Sequence, residues 1–195
     1  MPRIVDHDER RREIVAAAMD LIEKAGPQAL TMRNLAARLG VANGALDRYF
    51  PDGKAAILDA VYTEAYSQVR RQVNEVIGGL DPGLTSLRAM VTALMPVPER
   101  VEGAPVLVSF WNELGDTDQV RDRIRHDLAH LRDRFHQLLE VAAARGEITH
   151  AGRIDTAALT LVTLVSGSYH VSLAMPGRTA EDGYAEAVDL VLAGL

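Results

Sequence analysis

Apolar and polar residues follow each other along most of this chain with the period of an α-helix. In the first such segment five apolar residues recur at helical spacing, with arginine and glutamate on the other face: Ile14, Ala17, Ala18, Leu21 and Ile22. Gly26 and Pro27 come next. They mark a helix end, because glycine accepts a positive φ there and proline prevents continuation. The pattern predicts an amphipathic helix that buries one face.

Two short helices with a tight turn between them are predicted from Thr31 to Phe50. Thr31 is a good N-cap for the first of them, and Gly40 supplies the turn. Leu46 and Phe50 lie four residues apart, so both are expected to face the core from the second helix. This is the spacing of a helix-turn-helix, the motif that places one short helix in the major groove of DNA.

One dipeptide in this region favours a different structure. Asn43-Gly44 is typical of a β-hairpin turn, but the flanking segments do not alternate between apolar and polar residues as strands would. We therefore interpret the pair as the start of the second short helix, with Asn43 as its expected cap because Ala42 cannot accept the hydrogen bond. A helix hairpin that never contacts DNA is the alternative, and the extent of the pattern over five elements disfavours it.

The rest of the chain also has helical periodicity, and its breaks coincide with glycine and proline. In the long helix before Gly146, Phe135 and Leu138 are expected to face the core, and in the last helix Ala185 is. No segment shows the alternation of a strand. The sequence therefore predicts an all-α fold of about nine helices. The breaks are Gly78-Gly79, Asp81-Pro82-Gly83, Pro96, Pro98, Gly115-Asp116, Gly146 and Pro176-Gly177.

A set of residues in the N-terminal part matches a known family pattern. The set comprises Ile14, Ala17, Ala18, Gly26, Thr31, Arg33, Leu35-Ala36, Leu39-Gly40-Val41, Gly44, Leu46, Tyr49-Phe50, Lys54 and Leu58. Together they resemble the DNA-binding domain of the tetracycline-repressor (TetR) family of bacterial transcriptional regulators. The segment from Phe110 to Leu195 more weakly resembles a C-terminal domain common in that family. The chain departs from the family pattern at Ala42, at Asp47 and in Pro51-Asp52-Gly53-Lys54, which is one residue longer.

The resemblance implies the organisation and the function of that family. Residues 1–53 would form a three-helix helix-turn-helix DNA-binding domain, and residues 54–195 a helical ligand-binding and dimerisation domain. The last two helices would form a four-helix interface with a twofold partner. The expected function is that of a homodimeric transcriptional regulator, a repressor that a small-molecule effector releases from a palindromic operator in double-stranded DNA.

Three sets of residues are candidates for these roles. The DNA-contacting set comprises Thr31, Arg33, Asn43, Gly44, Ala45, Asp47, Arg48, Tyr49 and Lys54. The effector-binding set comprises Tyr62, Tyr66, Met90, Phe110, Trp111, Asn112, Tyr169 and His170, an apolar lining with a few polar anchors. The dimer-interface set comprises Leu161, Leu164, Gly167, Ser168, Val188 and Leu192. Ordinary core packing is the alternative interpretation for many members of the second set.

The charge distribution bears on the DNA partner. The chain has a net charge of −6. Residues 1–50 carry eight cations and seven anions, a net +1, so the remaining residues carry −7. The excess acid therefore lies outside the predicted DNA-binding domain, and affinity has to depend on local geometry more than on overall charge.

Several other functions are disfavoured. The chain has no cysteine and starts with a charged segment rather than an apolar signal sequence, which agrees with a cytoplasmic protein. The charge-free segment from Thr156 to Gly177 is long enough for a bilayer, but its serine, threonine and histidine residues favour a helix buried in protein, so no membrane partner is expected. Phosphate-binding loops, Walker motifs and nucleophile elbows are absent from the sequence, so neither an enzyme nor a cofactor is predicted.

Three alternatives remain open at this point. Asp122, His126 and His130 follow each other at steps of four and could ligate a metal, although the surrounding arginines favour a solvated face. The chain could instead be a helical small-molecule-binding protein or enzyme with a non-functional DNA-binding domain, which Ala42 and Asp47 would support. It could also be an architectural DNA binder without a ligand.

Overall fold

The computed structural model describes residues 7–96, 103–110, 118–174 and 181–194. These residues form nine α-helices and no strand, which confirms the predicted all-α class. The 3₁₀ turns Pro27–Ala29 and Ala151–Arg153 precede the second and the eighth helix. The helices are α1 (His7–Ala25), α2 (Met32–Leu39), α3 (Gly44–Asp47), α4 (Gly53–Ile77), α5 (Leu84–Leu94), α6 (Ala104–Ser109), α7 (Asp118–Ala144), α8 (Ile154–Ala174) and α9 (Glu181–Leu192).

The chain divides into two compact units. The first comprises Met1–Gln68 and Glu102–Val120, and the second comprises Val69–Val101 and Arg121–Leu195. The long helix α4 contributes residues to both units. The domain boundary proposed between residues 53 and 54 stays a prediction.

In the first unit, α1 packs against the turn Pro27–Ala29, against α2 and against α6. Of its five predicted inner residues, Ala17 and Leu21 are partly buried, and the other three are buried: Ile14, Ala18 and Ile22. Gly26 has a φ of 79°, and its amide donates to the Ile22 carbonyl at 2.9 Å. The end of α1 is therefore the one that the Gly26-Pro27 pair predicts.

An ion-pair network joins α1 to α2. Asp20 of α1 contacts Lys24 at 2.6 Å and also pairs with Arg38 of α2. The hydrogen bond from Lys24, with the charge of Arg38, lowers the pKa of Asp20. Because the folded-state pKa lies below the unfolded one, this link stabilises the fold above the ordinary carboxyl pKa and is lost as the pH falls through the lowered value.

In the second unit, α5, α8 and α9 contact one another. Arg88 of α5 forms an ion pair with Asp189 of α9. The start of α5 receives a hydrogen-bond partner from far along the chain, because the Leu84 amide donates to Glu147 Oε2 at 2.8 Å. This contact satisfies one of the amide groups that have no partner within a helix at its N-terminus.

Three local predictions are corrected by the structure. Asn43 does not cap α3, because it already has helical dihedral angles of −53° and −46° and its side chain makes no cap hydrogen bond. On α7, Leu139 rather than Leu138 is fully buried. The buried position that follows Phe135 therefore lies four residues further along the helix and not three. Ala185 is exposed, because α9 buries only a narrow face.

The eighth helix matches the charge-free segment that required a membrane check. This helix, Ile154–Ala174, contains the charge-free segment from Thr156 to the last residue that the structure describes there. Among the helices of the described residues, even α8 lacks the combination of length and hydropathy that crossing a membrane requires.

Candidate nucleic-acid interface

The start of α2 is fixed by the threonine that the sequence singles out. The Thr31 hydroxyl oxygen accepts a hydrogen bond from the Asn34 amide at 3.1 Å, as an N-cap does. The Asn34 side chain also donates to the Ala29 carbonyl at 2.9 Å, which ties the helix to the preceding turn. Leu35 and Ala36 are buried, whereas Thr31 itself is exposed.

The turn after α2 requires a glycine. Gly40 has a φ of 66°, in the left-handed region that an L side chain rarely adopts. Its amide and that of Val41 donate back to the Ala37 and Ala36 carbonyls at 3.2 and 3.0 Å. These bonds end α2 and turn the chain sharply towards α3.

Two buried side chains hold α3 from below. Leu46 and Phe50 are fully buried, as predicted, and the Phe50 amide donates to the Leu46 carbonyl at 2.9 Å. The helix is short and ends at Asp47. Its remaining side chains and those of its flanks therefore face away from the core.

All nine residues of the predicted DNA-contacting set lie in the first unit. Tyr49 is partly buried and the other eight are exposed: Thr31, Arg33, Asn43, Gly44, Ala45, Asp47, Arg48 and Lys54. They occupy the start of α2, the exposed positions of α3 with its flanks, and the first turn of α4. The set itself comprises three cations and one anion, so its own net charge is positive.

Sequence reasoning missed two residues beside this surface. Arg11 of α1 donates from Nη1 to the Tyr49 carbonyl, and its guanidinium carbon lies 4.1 Å from the centroid of the Phe50 ring. The ring of His7 lies 5.0 Å from that of Tyr49. The contacting residues are separated by about forty positions in the chain, so helical periodicity offers no signal for them.

Three members of the predicted effector-binding set come together in the first unit. Tyr62 and Tyr66 of α4 have nearly parallel rings with centroids 6.4 Å apart. Tyr62 meets Phe110 edge to face at 5.3 Å. The start of α6 lies close to α4, since a Cβ on Gly103 would be 2.8 Å from Gln68 Oε1. Gly103, with a φ of 82°, therefore permits the approach.

The other predicted effector residues that the structure describes lie in the second unit. Met90 and Tyr169 are buried in the second unit, and burial, with the nearby Tyr184, raises the pKa of Tyr169 well above its usual range. His170 is exposed, and its Nδ1 lies 3.0 Å from the Ser166 carbonyl of its own helix. Trp111 and Asn112 lie outside the described residues.

The predicted dimer-interface set falls mostly inside the protomer. Leu161, Ser168, Val188 and Leu192 are buried, whereas Leu164 and Gly167 are partly exposed. The outward side of α8 and α9 carries other large apolar side chains. Leu159 is 58% exposed, Val171 46% and Leu190 72%.

The histidines considered as metal ligands lie on the surface of α7. His126 and His130 are exposed, and Asp122 accepts a hydrogen bond from Arg125 at 2.5 Å. Within the described part of the chain, no three histidine, aspartate or glutamate side chains form a group that could hold a metal ion.

Comparison with known proteins assigns the chain to a family. The family model of bacterial regulatory proteins of the tetR family matches residues 14–61. A second model, for the C-terminal domain of BetI-type transcriptional repressors, matches residues 83–195, more than half of the chain. The chain belongs to the TetR family. It is therefore a transcriptional regulator with a DNA-binding helix-turn-helix, and the resemblance noted from the sequence is confirmed.

Two curated relatives illustrate the range of the family. The nucleoid occlusion factor SlmA of Idiomarina loihiensis is 26% identical over 136 residues, which cover 70% of this chain and 69% of SlmA. The HTH-type transcriptional regulator BetI of Klebsiella pneumoniae is 33% identical over 88 residues, 45% of each chain. The chain thus matches only part of the length of each relative.

Solved structures share the fold over nearly the whole chain. A transcriptional regulator from Saccharomonospora viridis, in complex with choline, superposes with a TM-score of 0.82 at 20% identity and covers 95% of this chain and 96% of its own. A transcriptional regulator from Rhodococcus reaches a TM-score of 0.80 at 22% identity and covers 94% of each chain. At these identities the likeness establishes the fold.

Proposed function

We propose that the protein is a homodimeric repressor that binds a palindromic DNA operator and is released from it by a small-molecule effector. The observation that carries the proposal is that the residues of α3 and its flanks divide into buried anchors and exposed side chains. Leu46 and Phe50 anchor the helix, which leaves Asn43, Asp47 and Arg48 exposed for DNA. A helix held in this way can enter the major groove with its outward side chains against the base edges.

The exposed residues divide into phosphate contacts and base contacts. Thr31, Tyr49 and Lys54 are assigned to phosphates, so replacing each should weaken binding to all sequences about equally. The Thr31 oxygen already accepts from the Asn34 amide, and its hydroxyl proton remains to be donated to a phosphate. Arg33 and Asn43 are assigned to base edges, where guanidinium pairs with guanine and an amide pairs with adenine.

DNA binding is tested by gel-shift titration at several salt concentrations. The probe is the DNA that flanks the protein's own gene, and the control is a shuffled fragment of the same composition. We expect preferential retardation of the flanking DNA and a linear fall of log affinity with log salt concentration. No retardation of any genomic fragment at low salt would overturn the proposal and favour a small-molecule-binding protein whose DNA-binding domain is non-functional.

The homodimer is assigned to the outward side of α8 and α9. Leu159, Val171 and Leu190 expose apolar surface there, and α8 carries no charged side chain from Thr156 onwards. A Cβ on Gly167 would meet nothing within 4 Å, so a second helix has room to approach closely. A twofold axis would pair this surface with itself and hold two α3 helices about 34–36 Å apart, the distance between successive major grooves.

The effector is assigned to the aromatic group of Tyr62, Tyr66 and Phe110. Aromatic faces attract organic cations, above all quaternary ammonium groups. The choline bound by the Saccharomonospora viridis regulator makes this chemical class the first to test. Because α4 carries Tyr62 and Tyr66 and begins close to the end of α3, a ligand that favours one position of α4 would also move Lys54. It releases DNA only through its differential affinity for the two states.

The effector class is tested with choline and its neutral isostere 3,3-dimethyl-1-butanol, which has the same shape without the charge. We expect choline to change the emission of Trp111, the only tryptophan in the chain, and to release the operator, whereas the isostere does neither. The variant Tyr62→Leu should lose the response to choline and keep DNA binding. Equal responses to both compounds, or to neither, would contradict a cationic effector.

Asp47 offers a separate test of base readout. It is exposed on α3, and its carboxylate would repel phosphates but could accept a hydrogen bond from the amino group of cytosine. Asp47→Asn keeps the size and removes the charge. If Asp47 reads a base, one operator position should lose its preference for cytosine, by about 1–3 kcal/mol. A uniform gain in affinity across a randomised operator library would show that the carboxylate is merely solvated.

A further inference from the structure

The recognition helix α3 is weakly fixed by its own residues. It comprises only Gly44–Asp47, and its N-terminus has no side-chain cap. The amides of Ala45 and Leu46 donate to the carbonyls of Ala42 and Asn43 at 2.9 and 3.2 Å, so its first turn depends on backbone bonds alone. A helix this short has little stability of its own, and its orientation has to come from its neighbours.

A neighbouring helix holds the chain directly after α3. Arg11 of α1 donates from Nη1 to the Tyr49 carbonyl, and its guanidinium stacks on the Phe50 ring at 4.1 Å. One turn earlier on α1, the His7 ring packs against the Tyr49 ring at 5.0 Å with a tilt of 41°. Two side chains on one face of α1 therefore hold Tyr49 and Phe50, the residues that follow α3.

We propose that Arg11 is a positioning residue for DNA binding, which holds Tyr49 where its phenol meets a phosphate and keeps α3 in register with the groove. The inference rests on the proposed contact between Tyr49 and a phosphate. Arg11 suits the role because its planar guanidinium can donate in its own plane while its face covers an aromatic ring. An ammonium group cannot make both interactions at once, because it has no flat face to place on a ring.

The surroundings of Arg11 distinguish positioning from direct contact with DNA. Its side chain is partly buried and lines a cleft of about 660 Å³ between α1 and α4, together with Asp8, Glu64 and Phe50. The recorded partners of its guanidinium are the carbonyl of Tyr49 and the Phe50 ring, both of the same unit. Arg12, the next residue along α1, lines the same cleft and is exposed. It serves as a matched control for the loss of one positive charge.

The test compares Arg11→Met and Arg12→Met in operator titrations over a range of salt concentrations. We expect Arg11→Met to weaken operator binding about tenfold, the size of one charge-assisted hydrogen bond. The slope of log affinity against log salt concentration should stay that of the wild type, because the Tyr49 phenol, the group displaced from the phosphate, carries no charge. Removal of a direct arginine–phosphate interaction would instead lower the slope by about 0.9 per chain bound, and that result would overturn the proposal.

A double-mutant cycle with Tyr49→Phe shows whether Arg11 acts through Tyr49. The phenylalanine keeps the ring and removes the hydroxyl group. Arg11→Met should therefore weaken binding much less in this background than in the wild type. Additive effects would contradict the proposal. Arg11→Lys keeps a donor and the charge but lacks the flat face, so it should recover only part of the affinity. This variant also serves as the test if the methionine variant misfolds. A wild-type chain that does not bind DNA would instead refute the proposed function. A Tyr49→Phe variant that binds normally would refute the phosphate contact assigned to Tyr49 and, with it, this proposal.

Discussion

Replacing Leu190 by arginine should convert the protein into a monomer and weaken its binding to a two-half-site operator by at least about a hundredfold. Among the described side chains of α8 and α9, Leu190 is the most exposed of the large apolar ones, at 72%. An arginine there is harmless in the free protomer, because it remains in water. In the proposed interface it would face apolar surface without a partner for its charge, and leaving a charge unpaired in this way is costly.

The large effect on DNA binding follows from the symmetry of the complex. In a dimer, once one recognition helix is bound, the second sits at a high effective concentration near its half-site. A monomer loses this advantage although each helix-turn-helix is unchanged. Sedimentation velocity measures the first effect, and titration of an operator against a single half-site measures the second.

Val76→Arg is the matched control for this experiment. Val76 is 44% exposed on the part of α4 that belongs to the second unit, so the control adds the same charge to the same unit on another helix. It should remain a dimer and bind the operator like the wild type. A fully dimeric Leu190→Arg variant, or equal dissociation of both variants, would contradict the assignment of the interface to α8 and α9.

The parts of the site that the sequence predicts correctly depend on short-range rules. Thr31 caps α2 because a hydroxyl three residues before an amide can accept its hydrogen bond. Gly40 forms the turn because only glycine readily adopts its φ. Leu46 and Phe50 share one face because they lie one helical turn apart. Each rule involves residues a few positions apart, so the chain itself contains all the information needed.

The predicted interface on α8 shows where such rules stop working. Hydrophobic periodicity identifies the buried face of a helix only when the other face is charged. Helix α8 has no charged residue from Thr156 onwards, so both of its faces are compatible with burial. The sequence therefore could not distinguish Leu161, which is in the protomer core, from Leu159, which is exposed. Only the packing of the second unit separates the two faces.

Local rules cannot predict the contact between Arg11 and Tyr49, for a different reason. It joins a long, flexible side chain to a backbone carbonyl 38 positions away. A carbonyl is present at every residue, so neither the type nor the spacing of Tyr49 marks it as the acceptor. The tertiary structure alone brings the two together, which is why the pattern of the first helix gives no signal for this contact.

Phe50→Ala should lower the free energy of unfolding by about 3–5 kcal/mol and abolish operator binding at temperatures where the chain is still folded. The Phe50 ring is fully buried beneath the recognition segment, and it carries the guanidinium of Arg11 on its face. Removing it leaves a cavity that the surroundings fill only in part. Arg11 and Leu46 would then lose a neighbour that fixes their positions, so α3 would no longer be held in one orientation.

Phe135→Ala separates the loss of stability from the loss of function. Phe135 of α7 is equally buried, but it belongs to the second unit. Its replacement should lower the free energy of unfolding by a similar amount in a denaturant titration, since the two rings bury the same apolar area. Its helix-turn-helix would stay intact, so operator binding should persist below the melting temperature. If both variants lost operator binding to the same extent at equal folded fractions, Phe50 would matter for global stability alone. A selective loss in Phe50→Ala would establish that the core beneath α3 is what orients the DNA-contacting residues.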